Sequence, residues 1–310
     1  PQITVNEAAL LPVALEQKQG TERTLTITNS GEMPLEFEIN VAQSASGNLP
    51  TSTDLEPAIE SSVGPMVTQK GVEDTRIGKV VTQNFGGPDQ AGYRWTDSNE
   101  LTGPVFDWQD ISSTGTLVGG LSDDRVVGPF EIGFEFNFYD ISYEDLYISS
   151  NGFIRFGDTG GSSGCCSGNP IPEEDAIDNI IAWLWRDLHP RNGAVYYETI
   201  DNNRFVIQFQ NYGEYSDGGT VNAQVILHSN GRIVLQYQSL TGGIDQRNYS
   251  IGIENSDGSD GLQVAFNTPY LEENLAIEFA KSAPWLRLDK TQAVVEPGES
   301  ENIRLNYIAD

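Results

Sequence analysis

Short segments in which apolar and polar residues alternate fill most of this 310-residue chain. The pattern is clearest at residues 145–157, where alternating runs precede and follow Asn151-Gly152. An Asn-Gly pair between two such runs is a strong signal of a β-hairpin, because both residues tolerate a positive φ. We therefore predict a hairpin here, at the centre of a β-sandwich.

Residues 92–282 repeat this strand pattern, with turn residues between the apolar runs. Two further hairpins are predicted, one at Asn230-Gly231 and one through the Gly/Ser/Asp turn at 256–261. The best candidate for a short helix is residues 173–179. The predicted strands are 93–95, 106–108, 130–138, 145–149, 153–156, 180–185, 194–197, 204–209, 223–227, 233–237, 249–253, 262–266 and 274–279. This density of strands predicts a β-sandwich domain.

Both ends of the chain show the same alternation in fewer segments. Residues 1–42 and 283–310 each hold too few strands to close a core, so we predict that they pair into one small sandwich. Residues 92–282 are then an insertion in a split domain, an arrangement that is tolerated when the ends of the insert lie close together. Residues 43–91 are rich in Ser, Thr, Gly, Pro and Glu and predict an irregular linker, with one strand near 79–82.

The chain is strongly acidic, with 45 Asp and Glu against 17 Lys and Arg and a net charge of −28. Nucleic acid is bound by basic surfaces, so we expect no nucleic-acid partner. No run is long and apolar enough to cross a membrane, so we expect no direct membrane insertion. The sequence starts at Pro1 without a signal-peptide pattern, and we expect a processed product or an excised segment.

Cys165 and Cys166 are the two cysteines of the chain, and they are adjacent. They could form a vicinal disulfide, remain free thiols or pair with another molecule, and an oxidising compartment favours the disulfide. A metal site made of thiolates alone would need further cysteines, which the sequence lacks. The disulfide is therefore the predicted state.

Carboxylates in Gly-rich loops supply the oxygen ligands that Ca²⁺ prefers. The candidate metal ligands are Asp257 and Asp260 in one loop and Asp123 and Asp124 in another. Neither loop matches an EF-hand, and Asp beside Gly is also ordinary turn chemistry. No cofactor is required on this interpretation, and Ca²⁺ is the ion that these loops would bind.

Aromatic side chains could form a platform on which a sugar ring stacks. Trp183 and Trp185 are two residues apart, so on a regular strand they share a face, and we expect them in a core or a domain junction. Tyr212 and Tyr215 lie in a polar stretch with Gly and Asp. These two tyrosines are therefore the candidates for an exposed ligand-binding pair.

Catalytic motifs are not found in the sequence. The two histidines, His189 and His228, belong to neither a His-Glu-x-x-His pair nor a Ser-centred elbow, and no phosphate-binding loop is present. Paired carboxylates could serve a glycosidase, but with 45 acidic residues such pairs arise by chance. We expect no catalytic residues and no enzyme activity.

Several stretches resemble known extracellular modules. Residues 13–41, which include the stretch 24–31, resemble the opening half of immunoglobulin-like repeats in secreted bacterial proteins, and residues 285–288 with 294–298 resemble the closing half. The region between them resembles a nidogen-like β-sandwich of exported proteins from Bacteroidetes-type bacteria. Its matching pieces are 92–95, 148–153, 181–187, 204–209 and 252–258. The resemblance implies an all-β fold in which an immunoglobulin-like domain is split by a larger jelly-roll or nidogen-like sandwich, with an extracellular or cell-surface localisation.

Three functions follow as hypotheses. The first is a non-catalytic structural or adhesive module of a secreted or cell-surface bacterial protein, acting as a filament or stalk subunit. Its partners would be other subunits or modules of the same array, and glycans. The second is a carbohydrate-binding module attached to a secreted hydrolase, which an exposed aromatic strip would favour. The third is an enzyme, which a cleft with converging His and carboxylate groups would favour.

Overall fold

The computed structural model describes residues 2–6, 20–39, 69–72, 74–100, 103–157, 162–191, 193–215, 218–281, 286–288, 290 and 292–308. These residues form strands and no helix, which confirms the all-β prediction. The strands are β1 (Ile3–Val5), β2 (Gly20–Asn29), β3 (Leu35–Glu38), β4 (Phe85–Gly86), β5 (Arg94–Asp97), β6 (Thr116–Leu117), β7 (Val126–Phe138), β8 (Ile141–Ser149), β9 (Phe153–Arg155), β10 (Ile180–Trp185), β11 (Leu188–His189), β12 (Ala194–Ile200), β13 (Arg204–Glu214), β14 (Thr220–His228), β15 (Ile233–Thr241), β16 (Ser250–Glu254), β17 (Gly261–Phe266), β18 (Leu275–Ala280), β19 (Leu286–Leu288), β20 (Gln292–Val295) and β21 (Ser300–Ile308).

The chain divides into two compact units, one of residues 1–51 with 282–310 and one of residues 52–281. In the smaller unit, β1, β2, β21 and β19 form one sheet, and β3 pairs with β20 in another. Leu25 and Ile27 of β2 and Ile303 and Leu305 of β21 are buried, whereas the residues between them point outward. Strands from both ends of the chain therefore share one core, as the alternation predicts.

The larger unit is built from two antiparallel sheets. The order of the first is β17-β16-β10-β9-β8-β7, and the order of the second is β4-β5-β18-β15-β14-β13-β12-β6, with β11 beside β13. Phe136, Ile148, Phe209 and Tyr237 are among the fully buried residues of its main core. These two sheets and the smaller unit make two β-sandwich regions.

The segment before β4 is held by specific contacts within the larger unit. The Arg76 guanidinium lies 2.7 Å from Asp74 Oδ2 and donates to the backbone oxygen of Gly168 at 2.6 Å. No strand forms at 79–82, contrary to the sequence prediction. Residues 43–68 of the predicted linker lie outside the described residues.

Residues 173–179 form bends and irregular backbone instead of the predicted helix. The Asp175 carboxylate accepts a hydrogen bond from the Ile177 backbone N–H at 2.5 Å. Asp side chains compete in this way with the helical hydrogen-bond pattern and favour turns. Local capture of the backbone by Asp175 is the physical reason for the difference.

Residues 106–108 also form no strand, although the sequence predicts one. They run over three buried glutamines that lie directly opposite each other on neighbouring strands, Gln208, Gln224 and Gln236. The side-chain oxygen of Gln236 accepts a hydrogen bond from the Asp107 backbone N–H at 2.7 Å, and its side-chain nitrogen donates one to the Asp107 backbone oxygen at 2.9 Å. Side-chain amides thus replace the strand partner that the backbone would otherwise need.

Trp183 and Trp185 lie on opposite faces of β10, so the predicted shared face is wrong. Trp183 is in the main core, whereas Trp185 packs in a separate cluster with Phe153. The pairing with β16 shifts register between Ala182 and Trp185, and the N–H groups of Trp183 and Leu184 both donate to the Gly152 oxygen. This β-bulge adds a residue and reverses the inward and outward alternation.

Candidate functional site

A lysine ammonium and three carboxylates form a polar cluster in the larger unit. Lys70 Nζ lies 2.6 Å from Asp123 Oδ1, 2.7 Å from Asp124 Oδ2 and 3.6 Å from Asp187 Oδ1. It also lies 3.8 Å from the centre of the Tyr215 ring. Burial acts to lower the pKa of Lys70, but its hydrogen bonds to Asp123 and Asp124 outweigh burial and raise the pKa above its usual value. The lysine therefore remains a cation bound by three carboxylates.

Asp187 is the most enclosed carboxylate of this cluster. Its Oδ1 atom is buried and lacks a hydrogen-bond partner among the described residues, although Lys70 lies within ion-pair distance. Burial raises the pKa of Asp187 to about 6; the charges of Asp124 and Asp123 add to this, and Lys70 opposes it. This carboxylate is the group of the cluster that gains most from a nearby cation.

Asp124 is held in position by the turn between β8 and β9. Asn151 donates a hydrogen bond from Nδ2 to Asp124 Oδ1 at 2.9 Å. The Oδ1 atom of Asn151 accepts the Leu188 N–H at 3.1 Å, so one buried side chain ties this turn to both Asp124 and β11. Asp124 has a φ of 49°, a conformation that Asp and Asn adopt more readily than most residues.

The cysteine pair lies beside these carboxylates. The structure joins Cys165 and Cys166 as a vicinal disulfide. One ligand atom from each of Asp124, Cys165, Cys166 and Asp187 lies within 4.8 Å of the other three. The sequence predicts Asp124 as a metal ligand and the two cysteines as a disulfide, and the fold places Asp124 next to the cysteines. Asp187 and Lys70 carry no local sequence signal.

The other predicted metal ligands are engaged by the protein itself. Asp260 accepts the backbone N–H groups of Gln90 and Ala91 at 3.0 and 2.8 Å. Asp257 accepts the Ser259 hydroxyl at 2.5 Å in its own turn. Asp123 binds Lys70 but does not belong to the four-ligand group. The structure thus gives these carboxylates hydrogen-bonding roles, and calcium binding by them stays a prediction.

Tyr212 is not an exposed ligand-binding residue, contrary to the sequence prediction. It is fully buried, and its hydroxyl donates to the Ser150 oxygen at 3.1 Å. A register shift between Phe209 and Tyr212 turns the side chain into the core. Tyr215 is half-buried under Lys70, so the structure does not form a pair of exposed tyrosines.

Both histidines are committed to local contacts. Burial, together with the charges of Arg232 and Arg204, lowers the pKa of His228 to about 2, so its ring is neutral. Arg232 Nη2 lies 2.9 Å from His228 Nε2, which accepts the hydrogen bond. His189 accepts the Arg191 N–H at Nδ1. Neither ring is placed as a proton donor by these contacts.

A second carboxyl group with a raised pKa lies at the end of β16. Burial raises the pKa of Glu254 to about 9, and the neighbouring carboxylates of Asp178 and Asp175 add to this. The Glu173 backbone N–H donates to Glu254 and partly offsets the shift. Glu254 is therefore protonated near neutral pH, which sequence reasoning did not predict.

A buried ion pair lies in the same unit. Arg186 and Glu214 form a salt bridge and are both almost inaccessible to solvent. Glu214 also accepts the backbone N–H groups of Gly219 and Asp245 at 3.1 and 3.0 Å. These hydrogen bonds satisfy the buried carboxylate of Glu214, which gives the pair a structural role.

Comparison with known families identifies the larger unit. A family model described as NIDO related matches residues 101–285, which is more than half of the chain. The chain belongs to the NIDO-related family. The matched region includes Asp123, Asp124, both cysteines and Asp187, whereas Lys70 lies before it.

No curated protein and no solved structure matches this NIDO-related chain. The described residues also contain no helix that is long and apolar enough to span a membrane.

Proposed function

We propose that this NIDO-related chain is a non-catalytic structural or adhesive module of a secreted or cell-surface bacterial protein. The observation that carries the proposal is that both histidines and the Arg186–Glu214 pair are engaged in contacts within the fold. His228 is neutral and bound to Arg232, and Arg186 and Glu214 neutralise each other. Groups satisfied in this way stabilise a scaffold and are poorly placed to bind and transform a substrate.

An extracellular location is supported by two features of the chain. A disulfide persists in an oxidising compartment, and the structure joins Cys165 to Cys166. The resemblance to a nidogen-like sandwich inserted in an immunoglobulin-like domain of exported bacterial proteins points to the same compartment.

A filament or stalk role is supported by the edge of the smaller unit. Among the described strands, β1 is the outermost in its sheet. The backbone oxygen of Gln2 and the backbone N–H of Asn6 form hydrogen bonds on the β2 side of β1. Successive residues of a strand direct their N–H and C=O groups to opposite sides, so those of Ile3 point away from β2. Such an edge accepts a strand from another subunit, and repeated head-to-tail contacts of this kind give a filament. The partners would be other modules of the same array, with glycans as a further class.

The location is tested by digesting intact cells of the source organism with an added protease. We expect the chain to be cleaved without cell lysis, while a cytoplasmic marker protein stays intact. A chain that is cleaved only after lysis would contradict the proposal.

The assembly is tested by light scattering and negative-stain imaging of the full chain, with and without salt and Ca²⁺. Screening of the net charge by salt should promote association, because the Debye length falls to about 8 Å at physiological ionic strength. Ile3→Pro removes one outward N–H from the edge and should abolish assembly without unfolding the sheet. A monomer under every condition would refute the filament role.

A glycan array separates this function from that of a carbohydrate-binding module. Specific binding that is lost on Tyr215→Ala would favour the second function, since Tyr215 is the candidate tyrosine that retains exposed surface. Absence of binding to any glycan is the result expected for a structural module.

A further inference from the structure

The cysteine pair and two carboxylates from separate loops present four metal-ligand atoms within 4.8 Å of one another. We propose that reduction of the Cys165–Cys166 disulfide creates a site for a borderline-soft divalent cation such as Zn²⁺, with Asp124 and Asp187 as the other two ligands. Neither sulfur of the intact disulfide is a thiolate, so the oxidised chain lacks two of the four ligands. The site is therefore controlled by the redox state of the chain.

The ligand set and its size fit zinc. Zinc binds thiolate sulfur at about 2.3 Å and carboxylate oxygen at about 2.0–2.2 Å, so the edges of the ligand tetrahedron are roughly 3.3–3.8 Å. Four atoms that already lie within 4.8 Å reach this geometry by side-chain movements on the order of 1 Å. Two thiolates also disfavour Ca²⁺ and Mg²⁺, which take oxygen ligands.

The two carboxylates are prepared for a cation. Asn151 holds Asp124 Oδ1, which leaves Oδ2 facing Lys70 at 2.7 Å. Asp187 Oδ1 is buried without a hydrogen bond and has Lys70 at 3.6 Å. An ammonium group thus already pairs with both carboxylates, and a bound metal would compete with it for them.

The loop that carries the cysteines is fixed by contacts other than the disulfide. Ser149 donates its hydroxyl to the Ser163 oxygen at 2.8 Å, and Trp185 donates its indole N–H to the Gly164 oxygen at 2.8 Å. Asn151 donates a weaker bond to the same Ser163 oxygen. These bonds keep the two sulfur atoms beside the carboxylates after the S–S bond is cleaved.

The reaction that opens the site is thiol–disulfide exchange with a small dithiol. The dithiol supplies two electrons and two protons, the S–S bond of the protein breaks, and the reagent becomes a disulfide. Zinc then binds the two sulfur atoms as thiolates, and two protons are released to solvent. Reoxidation would expel the metal by removing both thiolates.

Cobalt and zinc test the site in the full chain. The protein is reduced, freed of reductant under anaerobic conditions, and titrated with Co²⁺, whose visible absorption reports tetrahedral thiolate ligation. We expect one Co²⁺ per chain, displaced by one Zn²⁺, and no absorption band from the oxidised chain. Intact mass before reduction establishes the starting state, because the disulfide removes two hydrogen atoms.

Variants distinguish the proposed ligands from general acidity. Asp124→Asn and Asp187→Asn should each weaken Zn²⁺ binding at least tenfold. Asp123→Asn is the matched control, since Asp123 also binds Lys70 but is outside the four-ligand group, and it should leave the affinity unchanged. Lys70→Met removes the competing ammonium and should strengthen binding.

Three results would overturn the proposal. One is a reduced chain that binds neither metal, and another is a Co²⁺ spectrum without sulfur ligation. The third is an affinity that Asp124→Asn and Asp187→Asn leave unchanged relative to Asp123→Asn. Near-UV circular dichroism of each variant, compared with the parent chain, identifies any loss of fold and restricts the comparison to folded proteins.

Discussion

Gly152 shows how closely one residue can be constrained by a distant strand. It has a φ of 81°, and a Cβ atom added there would lie 1.8 Å from the Leu184 oxygen. Its own oxygen receives two N–H groups of the β10 bulge. Gly231 has a similar φ of 84° in the other Asn-Gly turn, but its added Cβ would lie 3.5 Å from the nearest atom. Comparing substitutions at the two glycines therefore separates the cost of backbone strain from the cost of close packing.

Gly152→Ala is therefore expected to destabilise the chain more than Gly231→Ala. The backbone strain common to both should cost about 1 kcal/mol, and displacement of β10 should add about 3 kcal/mol for Gly152→Ala. Urea unfolding of both variants measures the difference. Equal losses of stability would show that the bulge moves freely, which would contradict the close packing.

Glu254 is the residue whose burial should control the pH dependence of stability. Its pKa in the folded chain is about 9, above the usual range of a glutamate. An unfolded Glu ionises near pH 4.3, so between roughly pH 4.3 and 9 the folded chain holds one more proton than the unfolded chain. The contribution of this group to stability consequently falls as pH rises through that window.

Glu254→Gln should remove this pH-dependent loss of stability. The variant is expected to be more stable than the parent chain by on the order of 2 kcal/mol at about pH 8, and similar to it at about pH 4. Urea unfolding at both pH values provides the measurement, with Glu174→Gln as the control because Glu174 is exposed. A gain that does not depend on pH would point to a packing effect instead.

At the scale of elements, the glutamine row replaces a missing strand. Gln208, Gln224 and Gln236 lie opposite each other and are buried beneath the segment 107–111. Ile111 packs there on Val206 and Ile226. The segment is therefore attached by amide hydrogen bonds and a small apolar cluster, without a ladder of backbone bonds.

Gln236→Ala should release part of this segment. It removes both hydrogen bonds to Asp107, and we expect amide hydrogen exchange to increase at residues 106–111 while the strands of the sheet stay protected. Gln238→Ala, on the same strand but half-exposed, is the control. Unchanged exchange in the segment would mean that the apolar contacts alone hold it.

At the scale of the whole molecule, the larger unit has a core of its own. Its two sheets bury a continuous cluster of apolar residues, so residues 52–281 should fold without the smaller unit. Residues 69–91 contribute Lys70 and Arg76, which bind carboxylates of this unit. The domain boundary predicted at residue 92 would remove both cations.

A fragment of residues 52–281 should unfold cooperatively, whereas a fragment of residues 92–281 should have a lower urea midpoint. The second fragment leaves Asp123, Asp124 and Asp187 without their common cation. Near-UV circular dichroism and urea titration compare the two. Equal midpoints would indicate that the segment 69–91 is dispensable for the fold.

Several features were determined by the sequence alone. Alternation predicts the strands of the two ends and most strands of the larger unit, and the Asn-Gly pairs at 151–152 and 230–231 predict turns that the structure contains. These signals are local, because side-chain alternation and turn conformation depend on neighbouring residues. The all-β class follows from such local rules.

Only the tertiary structure decided which side chains meet. Bulges reverse the faces of Trp185 and Tyr212, and a bulge depends on how two strands pair and leaves no clear mark in one of them. Lys70, Asp124 and Asp187 come together across long sequence separations, so no local spacing predicts their cluster. The alternating pattern therefore determined the strands, while long-range packing determined the chemistry of the site.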